Sequence, residues 1–415
     1  MQKYKSLKSI YYQNKSNLNS DAYVKAVEGR KNNELAVHTG LIMSPFGHEF
    51  RLKDKFEIFY LPSPQIYVLQ EKIYTLSKII EKKMMEIPKV AQDQIFLNNL
   101  IDELQSTNDI EGVRSSREEI SQTLELLKRK SKEKSRFSGL VKLYAKFQED
   151  KYNTIQKVED FRTIWDELVS EEIQEDDFPD GRLFRTDGEV INYGDKVIHR
   201  GDSCEKDIID DLKLLVREMN NDSIPSLPKC FLAHYYYEYI HPFYDGNGRT
   251  GRFIVCSYLS RKLDMMSAIT FSSAIVQSKN TYYKAFTEMA DPYNHGEGTA
   301  FVISMMKLLK AGQEEVIVKL DDGIRMLSNA DKITNSKELS DIERNALFIL
   351  CQKSIFGTYV GPITDVDLAD MMNISRYKLN KALGTLEEHE LIKVLVGNPK
   401  IHGLTDNVKE ELFSI

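Results

Sequence analysis

The sequence lacks several features that would place it in a class at once. Its four cysteines are scattered and form no C-x-x-C pair, so we expect reduced, mostly buried thiols and a cytoplasmic location. No apolar run is long enough for a membrane span, and none follows the basic N-terminus as in a signal peptide. The net charge of −7 excludes an overall basic surface for nucleic acid.

The chain has enough length and apolar content for several cores. It has 415 residues, of which 41% are hydrophobic, and helical spacing of apolar residues predominates. We predict a mainly α protein with an N-terminal segment over 1–60 that contains short strands at 40–43 and 56–60. A helical region over 61–135, a third domain over 136–330 and a separate module over 338–415 follow.

One stretch concentrates the chemistry: residues 241–252 contain a histidine, an aspartate, three glycines and two arginines. Pro242 disfavours helical backbone at the preceding residue, so we predict that a helix over 229–240 stops at His241. A histidine presented at the start of a loop can act as a general base near neutral pH.

A phosphate site is predicted where the chain returns to a helix. Gly246, Asn247 and Gly248 form a tight turn, and a helix resumes from Arg249. A glycine-rich turn that opens a helix directs N–H groups and the positive end of the helix dipole at one point. Arg249 and Arg252 are three residues apart and can face the same anion. The adjacent Asp245 is a hard oxygen ligand, which suggests Mg²⁺.

Other motifs match this stretch less well. Gly246-x-Gly248-x-x-Gly251 fits the dinucleotide fingerprint, with Asp264 as the acid, but a His-Pro loop precedes it where a strand is needed. A calcium loop fails at Arg249, and no Gly-Lys-Ser/Thr of a P-loop is present. A plain Asp-Gly surface turn stays open, although it leaves the histidine and the arginines unexplained.

Residues 241–252 resemble the signature of the Fic family, His-Pro-Phe-x-Asp/Glu-Gly-Asn-Gly-Arg-x-x-Arg, at every specified position. The resemblance implies a Fic-type helical bundle as the catalytic domain over 136–330. It also implies a protein adenylyltransferase, which moves AMP from ATP to a Tyr, Ser or Thr hydroxyl of a target protein, self-modification included.

The mechanism that we expect assigns a role to each part. The backbone amides of Asn247 and Gly248, together with Arg249, hold the phosphates of ATP, and Asp245 binds Mg²⁺. His241 takes the proton of the target hydroxyl, whose oxygen attacks the α-phosphate.

A second short motif lies far upstream. Thr107-x-x-x-Glu111-Gly112 can simply be a polar helix end with a glycine C-cap. It also matches the inhibitory motif of the Fic family, Ser/Thr-x-x-x-Glu-Gly/Asn, in the class that carries it in an N-terminal helix. That match implies that Glu111 pairs with Arg252 and blocks the γ-phosphate position, since a carboxylate competes with phosphate for the same donors.

Two further segments are interpreted through the same family. Short β-prone runs at 189–193 and 196–199, bounded by turn signals, predict a hairpin, either a plain connection or the flap that aligns a target side chain. Phe184-Arg185 matches an aromatic–arginine pair ahead of that flap. Tyr282 or Tyr283 would contact adenine, with core packing as the alternative.

The tail over 338–415 has the order helix, helix, turn, helix, hairpin, which predicts a winged helix-turn-helix. Ser375 would cap its recognition helix, and Arg376, Lys378 and Lys381 lie near the start of that helix, where contacts to bases and phosphates would occur. Across 331–415 there are 10 Lys/Arg and 13 Asp/Glu, so we favour protein docking or a homodimer contact over DNA binding.

Three alternatives to AMP transfer stay open. The same site could remove AMP with Glu111 orienting a water, or transfer another phosphate-linked group. The chain could also be a nucleotide-responsive DNA-binding regulator that uses the tail. The target protein is unknown.

Overall fold

The computed structural model describes residues 4–13, 21–128, 135–146, 154–193, 196–357 and 363–414. These residues are mainly helical with a few short strand pairs, so the predicted fold class is confirmed. The chain divides into unit 1, Met1–Lys78 with Asp102–Glu314, and unit 2, Ile79–Ile101 with Glu315–Ile415. The four-part division stays a prediction. Within the described ranges, no helix is both long and apolar enough to span a membrane.

The helices of the described residues are, in chain order, α1 (Leu7–Gln13), α2 (Asp21–Lys31), α3 (Pro64–Met85), α4 (Lys89–Ile110), α5 (Arg117–Lys128), α6 (Ser138–Ala145), α7 (Glu159–Leu168), α8 (Glu205–Met219), α9 (Ser226–Ile240), α10 (Asn247–Leu259), α11 (Met265–Ala268), α12 (Phe271–Gln277), α13 (Lys279–Met289), α14 (Thr299–Asn335), α15 (Asp341–Phe356), α16 (Asp365–Met371), α17 (Arg376–Glu388) and α18 (Asp406–Phe413).

The strands form antiparallel pairs: β1 (Val37–Met43) with β4 (Phe56–Tyr60), β2 (Phe46–Gly47) with β3 (Phe50–Arg51), β5 (Val190–Tyr193) with β6 (Lys196–Arg200), and β7 (Ile392–Gly397) with β8 (Lys400–Leu404). The predicted strands at 40–43 and 56–60 therefore exist and pair with each other. The predicted hairpin is β5–β6, in which Val190 lies opposite Arg200. Its predicted turn, Gly194-Asp195, lies outside the described residues.

Two adjacent helices, α9 and α10, form the centre of unit 1. Thirteen of the 15 residues of α9 are buried, and so are all 13 residues of α10. A helix that is buried on every face has no side for solvent and must pack against other elements all round. These two helices flank the loop that begins at His241, so the predicted site lies within the core.

In unit 2, side-chain caps set the starts of successive helices. Ser340 and Thr364 form capping boxes at the starts of α15 and α16, and Ser375 accepts a hydrogen bond from the amide of Lys378 at the start of α17. The predicted cap at Ser375 is therefore confirmed. The helices enclose an apolar core that includes Leu347, Leu383 and Leu404. The observed order of helices and hairpin is the predicted one.

A buried histidine connects β8 to two of these helices. The side chain of His402 is fully buried, its Nδ1 lies 2.8 Å from Oδ1 of Asp365 in α16, and its Nε2 lies 2.5 Å from Oε1 of Glu387 in α17. A ring with a carboxylate oxygen at each nitrogen holds the strand against both helices through charge-assisted hydrogen bonds.

We expect His402→Ala to destabilise β8 by about 1–3 kcal/mol, because it removes the contacts of the ring with both carboxylates and leaves Glu387 with only the more distant Lys400, at 3.5 Å. Native-state hydrogen exchange of the β8 amides measures this loss. His389→Ala changes an exposed histidine of the same unit and should leave the exchange unchanged. Equal protection of β8 in the two variants would contradict the prediction.

Candidate nucleotide site

The predicted helix end at His241 is confirmed. α9 ends at Ile240, and His241 has left-handed backbone, with φ 53° and ψ 65°. This conformation is uncommon for a residue other than glycine, so it needs support. Arg185 supplies that support: its buried guanidinium donates to the carbonyl oxygens of His241 (2.8 Å), Ile240 (3.2 Å) and Asp202 (2.6 Å).

The imidazole of His241 is held in the form that a general base needs. A hydrogen bond links the ring to the backbone of Glu238, one turn earlier in α9. Burial, and then the charge of Arg185, lower the pKa of His241 to about 3. The ring is therefore neutral at pH 7, and with one nitrogen held by the backbone, the other keeps its lone pair for an incoming proton.

The loop after His241 is braced by the only tryptophan of the chain. Trp165 in α7 stacks on Phe243 with ring centroids 4.8 Å apart, and its Nε1 donates to the carbonyl oxygen of Asp245 at 2.8 Å. Gly246 follows with φ 82°, where a Cβ would lie 2.8 Å from Cγ2 of Val169 and 3.0 Å from Nε1 of Trp165. Glycine is therefore required at this position by both conformation and space.

The predicted phosphate cradle is the first turn of α10. The helix begins at Asn247, two residues before the predicted start, so Asn247 and Gly248 belong to its first turn. The side chain of Asn247 closes the loop through two hydrogen bonds to the backbone of Phe243, at 2.7 and 2.9 Å. Unpaired N–H groups of a helix start attract an anion.

Glu111 provides an anion at this point. A Cβ added at Gly248 would collide with its carboxylate group, whose Oε1 also lies 2.8 Å from Nη2 of Arg252. Arg252 further donates to the side chain of Thr107 at 2.9 Å and to its carbonyl oxygen at 3.0 Å. The acid of the upstream motif therefore covers both the helix start and the second arginine of the loop motif.

The C-terminal end of α4 is held by a reverse turn and by contacts from α13. Gly112 has φ 72°, and the amide of Val113 donates to the carbonyl oxygen of Asn108, a pattern typical of a Schellman C-cap. Lys279 and Tyr283 of α13 donate to the last carbonyl oxygens of the helix, those of Asp109 and Ile110.

Both predicted adenine contacts already have protein partners. The hydroxyl of Tyr283 bonds to Ile110, 3.3 Å away, and that of the buried Tyr282 lies 2.8 Å from Nε2 of His234. Burial lowers the pKa of His234 to about 3, so this histidine is a neutral core residue. The adenine roles of Tyr282 and Tyr283 stay predictions.

The residues present fit a magnesium ion that takes one ligand from the protein and its other ligands from phosphate and water. The carboxylate of Asp245 is 49% exposed beside the cradle, with Oδ2 3.6 Å from Nη2 of Arg249. Within the described part of the chain, no cluster of three or more His, Cys, Asp or Glu side chains could hold a metal ion. Mg²⁺ usually takes one or two protein carboxylates and completes its shell with phosphates and water, which suits a lone Asp245.

Three charged residues of the site were not predicted from the sequence. Arg51 in β3 donates to the backbone of Arg200 in the hairpin and of Tyr239 in α9, at 2.7 and 2.6 Å. Glu172 pairs with Arg249. Only the third residue, Glu238, had a signal in the sequence, since it stands one helical turn before the histidine.

Burial changes the charge of Glu238. Its pKa is raised to about 8, first by burial and then by the negative charge of Glu111, against the opposing effect of Arg252. Glu238 is therefore mostly protonated at pH 7, and Glu111 is the carboxylate that balances Arg252.

Comparison with known proteins finds a family model that matches part of this site. Residues 156–259, which include the hairpin and the loop motif, match the Fic/DOC family model. A Fic family protein from Desulfovibrio desulfuricans G20 resembles the chain in structure at a TM-score of 0.51 and 17% identity, over 84% of this chain and 98% of that one. This similarity shows a Fic-type helical fold.

Two further solved structures are similar over a smaller part of the chain. Fic-1 from C. elegans has a TM-score of 0.42 at 17% identity, over 61% of this chain and 73% of that one. A Fic domain containing signaling protein from Bacteroides thetaiotaomicron VPI-5482 has a TM-score of 0.43 at 18% identity, over 62% of this chain and 95% of that one.

We expect Gly246→Ala to cost about 2–4 kcal/mol of stability, because it adds a steric clash to the strain of left-handed backbone. Gly112→Ala is the matched control, since its φ is similar but no atom lies within 4 Å of the added Cβ; its cost should be about 1 kcal/mol. Thermal unfolding measures both. Trp165 fluorescence should change in Gly246→Ala alone, and equal costs without that change would reject the bracing role of Trp165.

Proposed function

Part of this chain matches the Fic/DOC family model, and we propose that the chain is a protein adenylyltransferase. It would transfer AMP from ATP to a Tyr, Ser or Thr hydroxyl of a protein. Proteins of this family generally transfer nucleotide-phosphate groups to proteins. The observation that carries the proposal is the position of His241, at the end of α9 and one loop away from a helix start that already attracts a carboxylate.

The cradle supplies binding and charge neutralisation. The amides of Asn247 and Gly248 face the phosphates, and Arg249 and Arg252 add donors that can bind phosphate oxygens in pairs. Asp245 would hold Mg²⁺, which when bound neutralises phosphate charge. Fixed donors at developing charge are usually the largest contribution to phosphoryl transfer.

The reaction needs one base. One ring nitrogen of His241 is hydrogen-bonded to the backbone of Glu238. The other ring nitrogen, Nε2 or Nδ1, accepts the proton of the target hydroxyl. The hydroxyl oxygen forms a bond to the α-phosphorus, the bond from that phosphorus to the bridging oxygen breaks, and pyrophosphate leaves with that electron pair. Arg185 keeps the backbone of His241 in place during these steps.

The hairpin β5–β6 would present the target. It is a two-stranded sheet, and outer strand edges can pair with an extended peptide. The ring centroids of His199 in β6 and of His241 lie 6.5 Å apart, so the hairpin stands close to the base. Because Arg51 of β3 already donates to the backbone of Arg200 in β6, a target peptide would pair with the outer edge of β5. The winged-helix module that we propose for the tail would dock a protein or a second copy of the chain.

Glu111 would inhibit this transfer. Its carboxylate occupies a donor of Arg252 that the γ-phosphate would need, so ATP binds without reaching a productive geometry. The same carboxylate beside the cradle also favours a second candidate, removal of AMP from a modified protein with Glu111 orienting the attacking water.

We expect His241→Ala to reduce labelling about 10²–10⁴-fold, since a general base is lost. Incorporation of labelled AMP into protein measures this reduction. The parent and the His241→Ala variant both carry Glu111→Gly, so that the proposed inhibition is removed from both. His389→Ala, outside the family domain, should label like its parent. Labelling by His241→Ala at the parent level would eliminate His241 as the base.

Glu111→Gly should raise labelling about 10- to 100-fold over the wild type, the range that corresponds to one charge-assisted hydrogen bond. Glu111→Gln should raise it as well, because the amide keeps the size but not the charge. Asp109→Asn neutralises an exposed acid two residues earlier and serves as the control. An unchanged rate in both Glu111 variants would show that the ion pair does not inhibit, while a fall in AMP removal would favour the second candidate.

A further inference from the structure

The first arginine of the cradle is also covered by an acid. Nη1 of Arg249 lies 2.9 Å from Oε2 of Glu172, which follows the end of α7. The two side chains are 2% and 6% exposed, so the pair is withdrawn from solvent. Asp245, the other carboxylate near Arg249, is farther away at 3.6 Å.

Both arginines of α10 thus have an acidic partner from a different part of unit 1. Glu111 reaches Arg252 from the end of α4, and Glu172 reaches Arg249 from the turn after α7. Because these two elements are separate, the second pair is an observation independent of the first. The residues that would hold the phosphates are each occupied by a carboxylate.

The Arg249–Glu172 contact is incomplete on both sides. Nε of Arg249 and Oε1 of Glu172 are buried and have no hydrogen-bond partner among the described residues. The pair therefore has a single close contact and lacks the two parallel hydrogen bonds that make arginine–carboxylate pairs strong. A phosphate group, with three acceptor oxygens and greater charge, can compete for such a guanidinium.

We propose that Glu172 is a second acidic competitor, which occupies Arg249 until the phosphates of a nucleoside triphosphate displace it. The inference rests on the proposed function, because it takes ATP as the ligand of the cradle. Glu172 would then set how much phosphate charge a ligand must bring, and ATP would bind more weakly than the two arginines alone allow.

The protonation of Glu172 fits this role. Burial raises its pKa to about 7, while Arg249 and Arg136 act to lower it and Asp245 acts to raise it. Among the residues that the structure describes, these are the charged groups that act on Glu172, from α10, from the segment before α6 and from the loop before α10. Below pH 7 the side chain is mostly protonated and releases Arg249, whereas above pH 7 it is an anion and competes.

Calorimetric titration of the full chain with ATP tests the proposal. Every variant carries Glu111→Gly, so that only the second acid differs. At pH 8 Glu172→Gln should bind ATP about tenfold more tightly than this parent, and Glu171→Gln, which neutralises the exposed neighbour, should bind like the parent. At pH 6 the difference in ATP affinity between Glu172→Gln and the parent should shrink, because protonation removes the negative charge of Glu172 in the parent, as the substitution does in the variant.

Several results would overturn the proposal. Equal or weaker binding by Glu172→Gln at pH 8, or an equal gain from Glu171→Gln, rejects Glu172 while leaving ATP as the ligand. Absence of ATP binding in all variants rejects the proposed function as well. If Glu172→Gln does not fold, Glu172→Asp replaces it: the shorter acid withdraws from Arg249 and should also tighten binding at pH 8, and no gain rejects the competitor.

Discussion

The structure around the cradle depends on the buried charge of Arg252. Its side chain is 1% exposed, and an arginine left unpaired at such a position would cost several kcal/mol. An anion beside Arg252 is therefore strongly favoured. Glu111 is that anion here, because burial keeps the nearby Glu238 mostly protonated at pH 7. A phosphate group is the chemical alternative, so the inhibition and the ATP binding that we propose would both follow from one requirement.

Helix periodicity places Glu111 at this position. Residues four apart lie on one face of a helix. The contacts between α4 and α10 recur every four residues, and they advance along α4 while they go back along α10. The three matched contacts are those of Glu103 with Cys256, Thr107 with Arg252, and Glu111 with Gly248. The acid is thus positioned by a packed interface between two helices, and α13 holds the end of α4. Displacing the side chain of Glu111 alone breaks only its own contacts with Arg252 and Gly248, whereas displacing the helix would break all three contacts.

Features set by neighbouring residues could be predicted from the sequence, whereas hydrogen bonds between distant segments, such as those of Arg185 and Arg51, could not. The helix end at His241, the hairpin β5–β6 and the cap at Ser375 all follow from residues within a few positions of each other, and the structure has them. Arg185 appeared in the sequence only as part of a family pattern, and its hydrogen bonds to three carbonyl oxygens depend on how the chain folds back. Arg51 gave no signal at all, since its backbone acceptors in β6 and α9 lie more than a hundred positions away.

By itself, the sequence determined the donors of the cradle: a proline that stops a helix at His241, glycines that open the next one, and two arginines on one face of it. These depend on backbone geometry within one or two helical turns. The family resemblance implied the pair of Glu111 with Arg252, but only the tertiary structure decided that Glu172 meets Arg249, because these two residues come from distant segments. The tertiary structure also decided the protonation of His241, Glu172 and Glu238, since a pKa depends on burial and neighbouring charge, which a linear chain does not contain.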